Sequence, residues 1–283
     1  MMNFYKEKDI QKIKSYKFDF IELDENDHVF TITLNRPKKK NALHPQMMNE
    51  IAFAMHYAHF NNSIWVVVFR ANGDIFCAGG DLKAMMGDVE PHQSTVPVPE
   101  KEVLMGELFN SINKPTISLV EKNVYAGGFL IVAGSLYVIA EENLRFSLPE
   151  VKRGLFPMQV MASLIQVMPP RKVLDWCVRG YSISAIQAKE QGLVTHISNQ
   201  DNIENELSTL IKEILDNSPT AIRNGLEACG HIMNQSNQHE YLLEMLNKVI
   251  KSNDAKEGFN AFKEKRKPNW TGKVKFTMHD SKS

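Results

Sequence analysis

Twice in this chain an apolar run leads into a glycine turn that opens a helix, and this pattern constrains the fold more than any other. The first run, Ile64-Trp-Val-Val-Val-Phe69, suits a parallel strand buried on both faces. It leads to Gly73-Asp-Ile-Phe-Cys-Ala-Gly-Gly-Asp-Leu-Lys83, where Asp81 is a good N-cap for a helical turn starting at Leu82. The second run, Thr116–Val120, leads to a glycine turn at Asn123–Gly128 and a helix through Phe129–Ser135. Amide groups at such a helix start point outward with partial positive charge, and glycine lets a ligand come close. The first turn therefore either holds an anion, or an oxygen that becomes anionic, or is a tight turn that needs glycine for its dihedrals. Neither G-x-x-x-x-G-K-[ST] nor G-x-G-x-x-G occurs, so a phosphate loop fits poorly.

Around these turns the sequence predicts strands at Phe18–Leu23 and Val29–Leu34 joined by a turn at Asp24–Asp27, and a helix over Pro45–Phe60. Residues 87–102, with Pro91, Pro97 and Pro99 and no period, read as a mobile surface loop placed as a lid. A helix follows at Val103–Ile112, a strand at Tyr137–Ala140 and an extended piece at Leu144–Leu148. Helical periods then dominate at 159–168, 170–178, 184–191, 202–215, 220–234, 239–252 and 255–267, with one strand, Val194–Ile197, among them. The order predicts an α/β core over 18–200, an arm at 1–17, a helical region at 201–270 and a tail at 271–283.

Lys+Arg and Asp+Glu balance at 33 each, which gives no nucleic-acid surface. Cys77, Cys177 and Cys229 lack metal-ligand spacing and suit a reducing compartment. No apolar run approaches the ~18 residues of a membrane span, and the N-terminus carries no secretory h-region. The expectation is a soluble cytoplasmic protein with no metal, nucleic-acid or membrane partner.

Six motifs in order then resemble one family, from about residue 18 to 270. They are Asn35-Arg-Pro…Asn41-Ala-Leu43, Phe76-Cys-Ala-Gly-Gly-Asp-Leu82, Gly127-Gly128, Phe146-Ser-Leu-Pro-Glu150, Arg179-Gly180…Gly192-Leu-Val194 and Glu257-Gly-Phe…Arg266. Together they are similar to the crotonase (enoyl-CoA hydratase/isomerase) superfamily. The resemblance implies a spiral of ββα units with C-terminal helices that assemble homotrimers or dimers of trimers. It also implies an acyl-CoA thioester substrate, with coenzyme A entering as part of the substrate and no separate cofactor. By that resemblance the amides of Gly80 and Gly127 form an oxyanion hole. Two preorganised donors favour an enolate oxygen over the ground-state carbonyl, so they accelerate the reaction selectively. The same resemblance assigns CoA or substrate contacts to Lys38, Lys39, Lys40, Ala42, Ala78, Asp81, Leu82, Lys83 and Leu130. Phe262 and Lys265 match a pair that family trimers lend to a neighbouring subunit's CoA.

One departure bears on the reaction. Hydratases of this family use two glutamates; the later is present as Glu150, while the earlier position holds Leu130. Leucine neither orients water nor exchanges a proton, so a single acid/base, Glu150, suits double-bond migration. Burial beside Phe146, Leu148, Phe156 and Met158 is expected to raise its pKa. Two alternatives remain: a hydratase drawing a second polar group from Glu121, Tyr125, Asp88, Glu90 or His92, and a non-catalytic CoA-binding subunit. Met85, Met86, Met105, Leu130, Met158 and Met161 suggest an adaptable apolar pocket for the acyl group.

Overall fold

The computed structural model describes residues 4–153, 155–234 and 251–273. It divides into two compact units, residues 1–212 and 213–283. The strands in chain order are β1 (Ile21–Asn26), β2 (Val29–Leu34), β3 (Val66–Ala71), β4 (Ile75–Cys77), β5 (Thr116–Val120), β6 (Asn123–Tyr125), β7 (Tyr137–Glu141), β8 (Arg145–Ser147), β9 (Ser182–Ser184) and β10 (His196–Ser198).

They form a six-stranded sheet in the order β1-β2-β3-β5-β7-β10 and a four-stranded sheet in the order β4-β6-β8-β9. From β3 to β8 successive strands alternate between the sheets, so β3-β4, β5-β6 and β7-β8 are repeats of one unit, each followed by a helical turn. This is a mixed α/β fold, with parallel pairing of β2-β3-β5-β7-β10 and of β4-β6-β8. Every residue of β5 is buried, as are the four leading residues of β3, which fits strands covered on both faces. On β2, by contrast, Phe30, Ile32 and Leu34 alternate with half-buried threonines and valine.

The first hairpin is tighter than the sequence suggests. β1 continues through Asn26, and the turn is Asp27-His28 alone, with φ of 43° and 69°. Two consecutive left-handed residues are what a two-residue hairpin turn requires. The helix Pro45–Phe60 spans the predicted residues, capped by His44, whose Nδ1 accepts from the Gln46 amide. Its buried Glu50 accepts from the amides of Asp19 and Phe20, both at 2.9 Å, and so fixes the entry into β1. Residues 87–102 carry no regular structure, yet they are tied down along the N-terminal arm. The Thr95 amide donates to Lys17 O (3.0 Å), that of Gln93 to Asp19 Oδ2 (2.9 Å) and that of Glu100 to Phe4 O (2.8 Å).

In the second unit, helices Pro219–Asn234 and Asn253–Glu264 are tied by buried Asp254, which accepts from Thr220 Oγ1 at 2.7 Å and from Thr271 N and Oγ1 at 2.8 Å. All but the last two residues of the expected helix at 239–252 lie outside the described residues. No helix among the described residues is long and apolar enough to cross a membrane.

Candidate active site

Three neighbouring parallel strands end on one edge. β4 pairs with β6 (Cys77 with Val124), and β6 pairs with β8 (Val124 with Phe146, Tyr125 with Ser147). The segments that leave their carboxyl ends are therefore side by side: Ala78–Asp81, Ala126–Gly128 and Leu148–Glu150. The carboxyl edge of parallel strands is where α/β sheets commonly receive ligands.

The first of these turns is built on the 36–43 segment. The Leu43 amide donates to Gly79 O at 2.7 Å and the Asp81 amide to Leu43 O at 3.1 Å, while the Ala78 amide reaches Lys40 O at 3.0 Å. This bridge leaves the Gly80 amide out. No peptide bond among the described residues is cis, so Gly79 C=O and Gly80 N–H point in opposite directions across their shared plane. With the carbonyl fixed on Leu43, the exposed Gly80 N–H is aimed away from it.

The second turn meets the first through glycine faces. A Cβ on Gly79 (φ 97°) would lie 2.5 Å from Ala126 Cβ and 3.0 Å from Gly127 N, and one on Gly127 would lie 3.1 Å from Gly80 N. No side chain fits between the turns. Gly127 lies in the first turn of the 3-10 helix Ala126–Gly128, where amides have no acceptor within the helix. Ala126 itself stands at φ 49°, a left-handed conformation that a non-glycine residue adopts at a cost. The backbone amides of Gly80 and Gly127 are thus brought close together where the two turns meet.

The loop beneath them has its own supports. Asn41, buried at φ 51°, accepts from Arg36 N (2.8 Å) and donates to Asn72 O (2.8 Å) and Ile75 O (2.9 Å). Arg36 is buried and donates to Asp81 Oδ2 at 2.8 Å, Ala42 O at 3.0 Å and Glu90 Oε2 at 2.5 Å. Asp81 Oδ1 caps the helix Leu82–Met85 by accepting from the amides of Lys83 and Ala84. Burial acts to raise the Asp81 pKa, but the Arg36 hydrogen bond and the two capping amides outweigh it and hold it below the ordinary carboxylate value.

Glu150 opens the 3-10 turn Glu150–Arg153 and is half-buried, with its Oε2 enclosed by protein. Helix Pro170–Arg179 packs against this turn. A Cβ on Gly180, which ends that helix at φ 61°, would come within 2.9 Å of Val151 Cγ2 and 3.2 Å of Leu148 O. The thiol of buried Cys177 is pushed up to about 11 by its burial and by the negative charge of Glu150. Trp176, fully buried, meets Phe129 edge-on at 5.1 Å, and Phe129 lies 6.1 Å from Phe146, so one aromatic chain runs under both the Gly127 and Glu150 turns. Leu130 is half-buried and packs against this core with Phe156 and Met161.

The remaining expectations divide. Lys38, Lys39 and Lys40 are exposed on and just after the turn Pro37–Lys39, and Leu82 and Lys83 are exposed on the helix Leu82–Met85. Ala42 and Ala78 are half-buried. Asp81 serves as cap and ion-pair partner. Lys265 is exposed in the second unit, and the Phe262 side chain lies outside the described residues. Of the supposed pocket methionines, Met105 is in the core, because it starts the helix Met105–Asn110 on its inner face. Met85, Met86 and Met158 are exposed, so Met158 does not bury Glu150.

Among the candidates for a second acid, Glu121 pairs with Arg70 at 3.1 Å and Glu90 with Arg36. Asp88 and His92 are exposed, and Tyr125 is half-buried. Neither composition nor motif spacing assigns a role to Arg36 or to the Asn41 side chain. The signal for Asn41 was available, since asparagine tolerates the left-handed region that this loop needs.

A model of the family described as enoyl-CoA hydratase/isomerase matches residues 24–273. Enoyl-CoA hydratase EchA19 of Mycobacterium tuberculosis is 31% identical over 88% of this chain and 95% of its own. Mevalonyl-coenzyme A hydratase sidH of Aspergillus fumigatus is 29% identical over 86% and 91% of the two chains. The crystal structure of an enoyl-CoA hydratase from M. tuberculosis H37Rv superposes with a TM-score of 0.79 at 29% identity, covering 90% of this chain and all of that one.

Proposed function

We propose that this chain, which belongs to the enoyl-CoA hydratase/isomerase family, moves a double bond in an enoyl-CoA thioester through an enolate held by Gly80 and Gly127. The observation that carries the reading is the direct contact of the two glycine turns beside the strand end that bears Glu150. Glu150 takes a proton from C2 of a 3-enoyl thioester, and the electron pair moves onto the thioester oxygen. The Gly80 and Gly127 amides stabilise that charge. The carboxylic acid of Glu150 then returns the proton at C4, which leaves the 2-enoyl product and restores the carboxylate.

Leu130 supports isomerisation over hydration, because it puts an apolar, half-buried side chain where a second acid would stand. Glu121 and Glu90, both committed to arginines, support it further. A hydration reading is favoured by the names of the relatives, which include an enoyl-CoA hydratase and a mevalonyl-coenzyme A hydratase. The deciding experiment is turnover of a panel of 2- and 3-enoyl-CoA thioesters in ¹⁸O-labelled water. Migration without label in the product supports isomerisation, and incorporated label supports hydration. Glu150→Gln should abolish either reaction while CoA-thioester binding persists; retained turnover would remove Glu150 from the mechanism. A trimeric assembly is part of the proposal, and sedimentation of the full chain checks it.

A further inference from the structure

We infer that Arg36 is a positioning residue that aims and polarises the Gly80 amide through two peptide groups in series. The inference rests on the oxyanion reading above. Arg36 Nη1 donates to Ala42 O at 3.0 Å. The other end of that same peptide plane is Leu43 N–H, which donates to Gly79 O at 2.7 Å. The other end of the Gly79 plane is Gly80 N–H. Both planes are trans, so each carbonyl points opposite to the amide it is conjugated with.

A cation on Ala42 O draws electron density toward that oxygen and makes Leu43 N–H a stronger donor. That stronger bond polarises Gly79 C=O in the same sense and makes Gly80 N–H a stronger donor in turn. Hydrogen-bonded chains in low dielectric strengthen one another in this way. The guanidinium is anchored so that it can do this. Asp81 Oδ2 and Glu90 Oε2 hold it at 2.8 and 2.5 Å, and Phe20 lies against it with 5.4 Å from Cζ to the ring centre. Asp81 directly follows Gly80, so the same ion pair also holds the far side of the donor.

The arrangement is not one that stability alone favours. Arg36 is only 6% exposed, and its Nε is buried with no acceptor among the described residues. Burying such a donor without an acceptor costs stability. Sequence alone points to Arg36 only as part of Asn35-Arg-Pro, without a role.

The probe is 4-dimethylaminocinnamoyl-CoA, whose absorption moves to longer wavelength when its thioester carbonyl is polarised. Bound to the intact protein it should shift red. Arg36→Met and Arg36→Lys should bind it with a smaller red shift. On a turned-over enoyl-CoA, kcat should fall about tenfold, less than the 10²–10³ that loss of a whole donor brings, with KM changed less than about twofold. Glu90→Gln removes only a charge and keeps an oxygen acceptor for the guanidinium, so the anchor survives and both the shift and kcat should be kept. If Arg36→Met does not fold, Arg36→Lys, which cannot span the same partners, carries the test. A wild-type red shift in the folded Arg36 variants overturns the inference, as does a Glu90→Gln loss equal to theirs. No red shift in the unaltered protein instead overturns the oxyanion reading beneath it.

Discussion

The contact between the two glycine turns gives the sharpest prediction, because adjacent glycines should respond very unequally to the same substitution. Gly79→Ala places a side chain at φ 97°, outside the conformations an L-residue adopts readily, at about 1–3 kcal/mol. Its Cβ would sit 2.5 Å from Ala126 Cβ and 3.0 Å from Gly127 N. Carbon atoms rest at about 3.5–4.0 Å, so the turns must part by roughly 1 Å. Overpacking of that kind adds about 1–3 kcal/mol. The sum is a loss of about 2–6 kcal/mol in urea unfolding. Because the parting separates the two donors, turnover should also fall about 10²-fold. Gly80→Ala has no such conflict. Its φ is not left-handed, the nearest atom to its Cβ is Met85 Sδ at 3.3 Å, and that side chain is 67% exposed. The amide survives, so stability should stay within about 1 kcal/mol and turnover within a few-fold. A Gly79→Ala protein as stable and active as the original would refute the reasoning. So would a Gly80→Ala protein damaged to the same degree.

Three further outcomes follow from buried polar groups. Asn41→Ala leaves Arg36 N, Asn72 O and Ile75 O without their partner and should cost about 2–4 kcal/mol in chemical denaturation; Asn41→Gly, which relieves only the backbone at φ 51°, should recover less than half of that. His56 is buried beside Tyr5 and Phe60, and its burial lowers its pKa from 6.5 to about 4. The folded state then binds fewer protons than the unfolded one, so this contribution is complete above pH 6.5 and is lost as pH falls toward 4. Its upper bound is about 3 kcal/mol, and a His56→Leu protein should show a flatter stability profile across that window. Asp254 is 1% exposed. Burial acts to raise its pKa, and hydrogen bonds from Thr271 N, Thr220, Thr271 Oγ1 and Gly272 N outweigh burial and lower it. A depressed carboxylate stabilises above its unfolded pKa and loses that as pH falls through the folded one. Asp254→Asn turns an acceptor that faces Thr220 Oγ1 and Gly272 N into a donor, and should destabilise the second unit by about 1–3 kcal/mol at neutral pH.

The long elements were legible because their signals are local. The helix Pro45–Phe60, the strand Val29–Leu34 and the strand Thr116–Val120 are present over the residues that period and β-branching indicate. The three-residue strands β4, β6 and β9 were not, because three residues cannot show a period. They exist through pairing within the four-stranded sheet, which is long-range information. Those short strands set the site's geometry, since β4, β6 and β8 line up the two glycine turns and Glu150. The prolines of the loop at 87–102 and its lack of period point to mobility. Its ties to Lys17 O, Asp19 Oδ2 and Phe4 O are made by its own backbone amides, which composition does not encode.

The site divides along the same line. Its glycines are legible because the requirement they meet is negative: no side chain fits at Gly79 against Ala126, or at Gly128 against Cys77, where a Cβ would lie 2.9 Å from another. A residue type that is demanded by exclusion leaves a mark in the sequence. Arg36 leaves none, because its partners Ala42 O, Asp81 and Glu90 stand 6, 45 and 54 positions away and meet it only after the sheets have formed. In the proposed mechanism the backbone lets a thioester oxygen be stabilised, and side chains decide how strongly and to what end. Arg36 would set the strength, through the peptides that carry the donor. Glu150 and Leu130 would set the outcome, since the one would move a proton along the substrate and the other would deny a water molecule its partner. A single substitution at Leu130 to glutamate then becomes the direct probe of that division. It should add hydration to the turnover while leaving the polarisation of the bound thioester unchanged.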